Sequence, residues 1–440
     1  MSSGCPHARM YQSEPHPDPY GAYARMRAEH GPVVPVELAP GVHGWLVTDY
    51  ATLISWSRDT TVFTHDSRLW RDSARGRVGP GAPLAPMTAP RAGALFVDGV
   101  EHRRLRRAIT DALGAVTAAR LAAVTTRAAD LLIDGFCARG EADLLEEYAR
   151  MLPPLVMNDL FGMEGDQGAR FAAAVRGLWA GRDAERSGAE AERVLSEVVD
   201  AKHRAPGDDL ASRLIRHRAR LSDDEVVTQL LLVASAANEP TAALIDSVLR
   251  AVLADPSRWH VPGGPSPAAL DDLVERVLWR DPPILNYPAL YPRVDVPLDR
   301  GRVIEAGSPV LLACAAANHF FQKENPERVA DGADRANRAH VAWGAGPHRC
   351  PARDEATAIT TVAVRRLLQR LPDPVPAVPA ERLRWRLATL SWAPVSLPVR
   401  FTPQRPAAPT AAPAGPPGTG PAGGGAPPRS GLLRRLLRRP

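Results

Sequence analysis

The sequence predicts a mainly α-helical protein with a small β-sheet region, folded as one unit and followed by a separate tail. Three observations carry this. Apolar residues recur at helical spacing through most of the chain, while strand-like alternation is confined to short stretches near the N-terminus and after Asp281. Hydrophobic residues make up 45% and charged residues 23% of 440, enough to bury a large core. From Gln404 onward the composition collapses to Ala, Pro, Gly and Arg, too poor in apolar side chains to fold alone.

The elements follow in order. A leading helix spans about Tyr20–His30, and VVPVEL and GWLVTDY read as strands. From about Asp49 helical patterns take over. A Gly/Pro-rich stretch from Arg68 to Leu95 lacks periodicity and is long enough to suggest a functional loop. A helix opens near Asp98 with Leu105, Ile109 and Leu113 on one face, and others cover Thr117–Ala138, Glu141–Phe161, Ala169–Ala180 and Ala189–His203. The longest starts at Ser222, where Ser-Asp-Asp-Glu makes a capping box, and runs to about Ala254. Another opens at Ser266-Pro267 and stops before Pro282-Pro283. Short strands (VDVPL, RVIEA, PVLLA) precede a Gly-rich turn and a helix from about Asp354 to Leu371.

The net charge of +5 belongs to the tail: six of the 54 basic residues, all arginines, lie after Gln404 with no acid among them. That leaves 48 bases against 49 acids, so the body has no basic surplus for nucleic acid. Cys5, Cys137, Cys314 and Cys350 show no paired spacing; Cys137 and Cys314 sit in apolar stretches as small buried hydrophobes, fitting a reducing cytoplasm. No apolar run is long enough to span a bilayer, and the N-terminus lacks a signal-peptide core. The tail ends in Leu432-Leu433-Arg434-Arg435-Leu436-Leu437-Arg438-Arg439, either a solvated basic end or, wound as a helix, a strip for anionic lipid or an acidic partner.

The strongest local signal is Trp343-Gly344-Ala345-Gly346-Pro347-His348-Arg349-Cys350-Pro351, directly before a helix. Glycines let the backbone wrap a sulfur, and the helix N-terminus stabilises a thiolate. Those are the needs of a soft anionic ligand to haem iron. Upstream, His102 and Arg106 are four apart and share a helix face, which suits a pair of carboxylates or a solvated basic surface.

This loop resembles the haem-ligand loop of the cytochromes P450, Phe-Gly-x-Gly-x-His-x-Cys-x-Gly, with Trp343 for the Phe and Ala352 for the last Gly. The resemblance spans about residues 10–402, with residues 1–403 as the P450 domain and 404–440 as the tail. It implies haem b held by Cys350, with His348, His102 and Arg106 at the propionates, Arg293 in place of an arginine missing at Leu290, and Ala236 over the haem face. The stretch Ala236-Ala237-Asn238-Glu239-Pro240-Thr241 is similar to the family's oxygen-binding helix, Ala-Gly-x-Glu/Asp-Thr-Thr. Glu239 keeps the acid, but Pro240 replaces the first Thr, so proton relay passes to Thr241, Asn238 or water. Pro240 also predicts a kink, because it frees the carbonyl of Ala236.

The family's Glu-x-x-Arg pair falls at Arg276 and Trp279, where neither half is present; Arg280, with Glu275 or Glu327, is a candidate stand-in. An actinobacterial subgroup of the family looks like this, and its members are similar to proteins encoded in operons with small GTPase-like switches and sensor-kinase components. The implied activity is monooxygenation of a small molecule with O2 and electrons from a ferredoxin and its reductase, in the cytoplasm or peripherally at a membrane. The alternative is a haem-binding sensor or scaffold in a GTPase-linked signalling complex. Substrate is expected against the Arg68–Leu95 loop and residues 166–203.

Overall fold

A computed structural model describes residues 8–10, 18–78, 91–180, 184–259, 261–328, 337–387 and 391–407. Twelve helices of six residues or more stand among them. They are α1 (Pro19–His30), α2 (Tyr50–Arg58), α3 (Gly99–Gly114), α4 (Ala118–Phe136), α5 (Leu152–Phe161), α6 (Gln167–Ala180), α7 (Ala184–Arg204), α8 (Leu210–Ile215), α9 (Asp223–Ala254), α10 (Pro267–Arg280), α11 (Cys314–Glu324) and α12 (Arg353–Arg370). The main core lies between α3, α4, α5, α9, α10 and α12, with Ile133, Phe161, Leu230, Val248, Leu278 and Leu367 fully or almost fully buried. No single helix among the described residues is long and apolar enough to cross a membrane.

The sheet region forms beside this helical body. Strands β1 (Ala8–Arg9), β2 (Val33–Ala39), β3 (Val42–Val47), β4 (Phe63–Thr64), β6 (Tyr287–Pro292) and β9 (Val310–Leu312) make one sheet in the order β1-β2-β3-β9-β6-β4. A second sheet joins β5 (Glu141–Asp143), β10 (Val375–Pro376) and β13 (Pro398–Arg400) in the order β10-β13-β5. Two hairpins, β7–β8 (Val296–Pro297 with Val303–Ile304) and β11–β12 (Trp385–Leu387 with Trp392–Pro394), complete it.

Several expectations met a local competitor. The single helix expected over Glu141–Phe161 is three pieces: Glu141–Asp143 pairs with β13, Leu145–Ala149 is a π-helical turn, and α5 restarts at Leu152 with prolines in its first turn. Helix α11 escaped the reading because its apolar residues are small and nearly continuous; Cys314, Ala315, Ala316 and Ala317 are all fully buried. Helix α9 takes the expected range and the capping box forms, Ser222 with Glu225. It stays helical through Pro240. The folded unit also extends past residue 403: the Gln404 amide donates to the Cys137 carbonyl (2.8 Å) and the Ala407 amide to Asp134 (2.9 Å). Residues 408–440, including the Leu/Arg terminus, and residues 79–90 of the suspected loop lie outside the described residues, as does Cys5.

Candidate functional site: a cysteine loop facing a histidine cluster

The loop before α12 is held by backbone geometry that favours glycine and, at Gly346, requires it. Gly344 and Gly346 have φ of +72° and +67°, and a Cβ on Gly346 would collide with the carbonyl of Ser57 at the end of α2. The Cys350 amide donates to the Trp343 carbonyl (2.8 Å), closing the turn. Burial raises the Cys350 thiol above its ordinary value, while the Ala352 amide and the nearby Arg106 guanidinium favour the thiolate. Pro351 offers no N–H, so the amide two residues on is the one that reaches the sulfur. Cys137 and Cys314 are wholly buried, and burial pushes both thiols up, as expected of structural cysteines.

Four residues read from the sequence converge beside this loop. His348 and His102 stack at 3.9 Å between ring centroids, and Arg106 donates to the Arg349 carbonyl. Arg293 lies 3.9 Å from Asp98, the N-terminal cap of α3, and His348 Nε2 is 3.0 Å from the same carboxylate. Sequence reasoning missed two members. His65 packs 3.9 Å from His348, and Asp98 accepts from the His65 amide (3.0 Å) and the Thr64 hydroxyl. Nothing in the spacing pointed to His65, which reaches the cluster only because β4 pairs with β6.

The electrostatics are those of a crowded, buried site that disfavours charging its imidazoles. Burial, then the neighbouring His348, lowers His65 to about 3; the same two causes, with Arg106, lower His102 to about 4. Burial opposes ionisation of Asp98, but hydrogen bonds from His348 and Thr64 outweigh it and hold the carboxyl well below its usual range. His102 Nε2 is buried with no hydrogen-bond partner among the described residues. A buried nitrogen left so is unfavourable by about 1–3 kcal/mol. Carboxylate groups from a ligand fit this donor set, with Asp98 showing where one anion already sits.

Across the site, α9 divides the residues read from it. Ala236 is exposed in the middle of a long core helix, and Glu239 and Pro240 share its partly open face. Asn238 and Thr241 point the other way and are buried, the Asn238 amide atoms with no partner among the described residues. Glu239 lies 3.8 Å from Arg150 at the end of the π-helical turn. About two turns before Ala236, the fully buried Gln229 accepts from the Ala94 amide (3.0 Å) and donates to the Ala92 carbonyl (3.2 Å). That fixes the C-terminal end of the suspected substrate loop to α9. Helix α9 packs against α12, and Ala237, Trp343 and Ala352 border the same core cluster.

On α10, Glu275 meets His340 (3.0 Å) and Arg338 (3.3 Å), and the Trp279 indole donates to the Asn337 carbonyl (2.9 Å). Those are the partners the structure gives Glu275 where the sequence suggested Arg280.

No protein-family model matches the chain. Individual relatives do. Cytochrome P450 107B1 of Saccharopolyspora erythraea is 30% identical over 397 residues, 87% of this chain and 95% of that protein. Nocardicin C N-oxygenase of Nocardia uniformis subsp. tsuyamanensis is 31% identical over 395 residues, 87% of this chain and 96% of its own length. Among solved structures, CYP154C4 from Streptomyces sp. W2061 superposes with a TM-score of 0.78 at 26% identity, covering 90% of this chain and 98% of that one. With relatives of this identity matched over nearly their whole length, and the fold shared, the chain belongs to the cytochrome P450 family of monooxygenases.

Proposed function

We propose that residues 1–407 bind haem b through Cys350 and oxidise a small molecule with O2, electrons arriving from a ferredoxin and its reductase. The observation that carries this is the convergence of the glycine-built Cys350 loop with His102, Arg106, Arg293 and His348, including an orphaned His102 nitrogen awaiting an acceptor. The residues fit the group: Cys350 would hold the iron, and His65, His102, His348, Arg106 and Arg293 its propionates. Bound haem would supply the one-electron and dioxygen chemistry that no side chain offers.

The chain's own residues do the rest. The Ala352 amide holds charge on the sulfur. Ala236 and Pro240 leave the facing side of α9 free of bulk, and Pro240 frees the Ala236 carbonyl to accept from water. Glu239 is the titratable group on that face and exchanges protons with solvent; Arg150 keeps it oriented. Thr241 and Asn238, facing the core, act through the position of the helix. Gln229 holds the substrate-side segment in place.

The test is a reconstituted assay with ferredoxin, its reductase and NADPH. A ligand that perturbs the haem spectrum should be converted only with O2 present. Ligands that bind without any conversion across a chemically diverse set would count against it. A second reading, a haem-containing sensor or scaffold in a GTPase-linked complex of the atypical actinobacterial subgroup, draws on Pro240 and Trp279. Capture of a GTPase by the inert haem protein, lost on removing residues 408–440, would favour it. For the tail itself we propose peripheral contact with an anionic surface through Leu432–Arg439, read by co-sedimentation with anionic but not zwitterionic vesicles.

A further inference from the structure

We propose that Trp279, His340 and Asn318 form the anchor that positions the Cys350 loop, replacing the Glu-x-x-Arg pair with hydrogen bonds from neutral side chains, one of them made to the Glu275 carboxylate. This rests on the reading of Cys350 as the haem ligand.

The segment 337–342 leads straight into the loop. Trp279, one face of α10, is almost wholly buried, and its indole N–H donates to the Asn337 carbonyl (2.9 Å). Its ring stacks on Phe321 and meets His340 edge-on at 5.8 Å, which fixes the direction of that N–H. His340, also buried, accepts from the Ala342 amide at Nδ1 (3.2 Å), so Nε2 carries the proton it donates to Glu275 (3.0 Å). Fully buried Asn318 on α11 accepts from the Val341 amide (2.9 Å) and donates to the Leu278 carbonyl (3.2 Å). The Tyr287 hydroxyl donates to the Ala342 carbonyl (3.0 Å), and the next residue, Trp343, accepts from the Cys350 amide.

The Asn337 carbonyl, the Val341 amide and the Ala342 carbonyl are thus tied to α10, α11 and β6, the Ala342 amide to His340 within the segment, and any slip passes through Trp343 to Cys350. The one ion pair present, Arg338 with Glu275, has an arginine side chain 54% exposed and is worth little. Replacing a buried arginine by indole avoids desolvating a cation, and the one charge the anchor keeps inside is the Glu275 carboxylate, which His340 hydrogen-bonds.

The experiment compares haem transfer from the full-length holoprotein to an apo-globin acceptor, and the carbon monoxide spectrum, for Trp279→Phe, Glu275→Leu and Arg338→Ala. Trp279→Phe keeps the ring and deletes only the N–H. It should lose haem roughly tenfold faster, the size of one buried hydrogen bond, and show a larger share of non-thiolate carbonyl band. Glu275→Leu should do the same, and it reads the anchor if Trp279→Phe does not accumulate. Arg338→Ala should stay within about twofold, as an exposed pair allows. Haem loss from Trp279→Phe or Glu275→Leu no faster than from Arg338→Ala would overturn the anchor while leaving the haem reading intact. Absence of a thiolate band from the unsubstituted protein would overturn both.

Discussion

Replacing Arg250 with Met should destabilise the protein by about 3–5 kcal/mol at pH 7, the range for breaking a buried ion pair. Arg250 sits on α9 one turn beyond Asp246 and bonds three partners: Asp246 (3.0 Å), Ser247 (2.9 Å) and Asp281 at the end of α10 (2.5 Å). Its guanidinium also lies 4.9 Å over the Trp385 ring of the β11–β12 hairpin. Asp246 is 1% exposed and has one oxygen without a partner among the described residues, so Arg250 is what makes its charge tolerable. Burial pushes Asp246 up to about 6 even with Arg250 pulling against it. For a folded unit of roughly 400 residues, with ~2.1 cal/mol/K of unfolding entropy each, 4 kcal/mol lowers the apparent Tm by about 5 °C.

The sign of the pH dependence follows from the raised carboxyl. A group whose folded pKa exceeds its unfolded value of about 3.9 favours folding below that value, and the contribution is lost as pH rises through about 6. Without Arg250 the folded value climbs further, so the variant's deficit against the unsubstituted protein is largest at pH 7 and above and shrinks toward pH 5. Circular dichroism melts of both proteins at pH 5 and 7 measure it, and Asp246→Asn added to Arg250→Met should recover much of the loss. A Tm change under about 1 °C, or a deficit equal at both pH values, would refute the reasoning.

Three further outcomes are expected. Gln229→Leu removes both bonds to residues 92–94, so the Ala94 amide should exchange with solvent at least about tenfold faster in hydrogen-exchange mass spectrometry while the rest of α9 is unchanged. Glu239→Gln keeps shape but cannot pass a proton, so product formed per NADPH consumed should fall by roughly 10²-fold at most with substrate binding preserved, whereas Asn238→Leu, behind the helix, should change that ratio little. Pro351→Ala restores an N–H beside the sulfur, and a redox titration should show the haem potential rise; an unchanged potential sinks the idea that the missing donor matters.

Much of this was legible in the sequence because it is local. Glycines at positive φ, the Ser222–Glu225 capping box and the four-residue spacing of His102 and Arg106 are all short-range features that the fold left intact. Long-range pairing was not legible. His65 and Asp98 join the site through β4–β6 pairing and a helix cap, and neither has a periodic signature. The gap at the Glu-x-x-Arg position was visible, but its replacement by Trp279, His340 and Asn318 depends on α11, whose alanine-rich sequence carries no amphipathic pattern. Glu239 and Asn238 are adjacent in sequence and about 100° apart around α9, and only burial shows that one stands at the partly open face and the other in the core.

The most direct test of the account is the carbon monoxide spectrum of the dithionite-reduced, purified protein beside a Cys350→Ala variant. The account predicts a strongly red-shifted thiolate-type band that disappears in the variant. No bound haem, or a band that survives loss of Cys350, would contradict it.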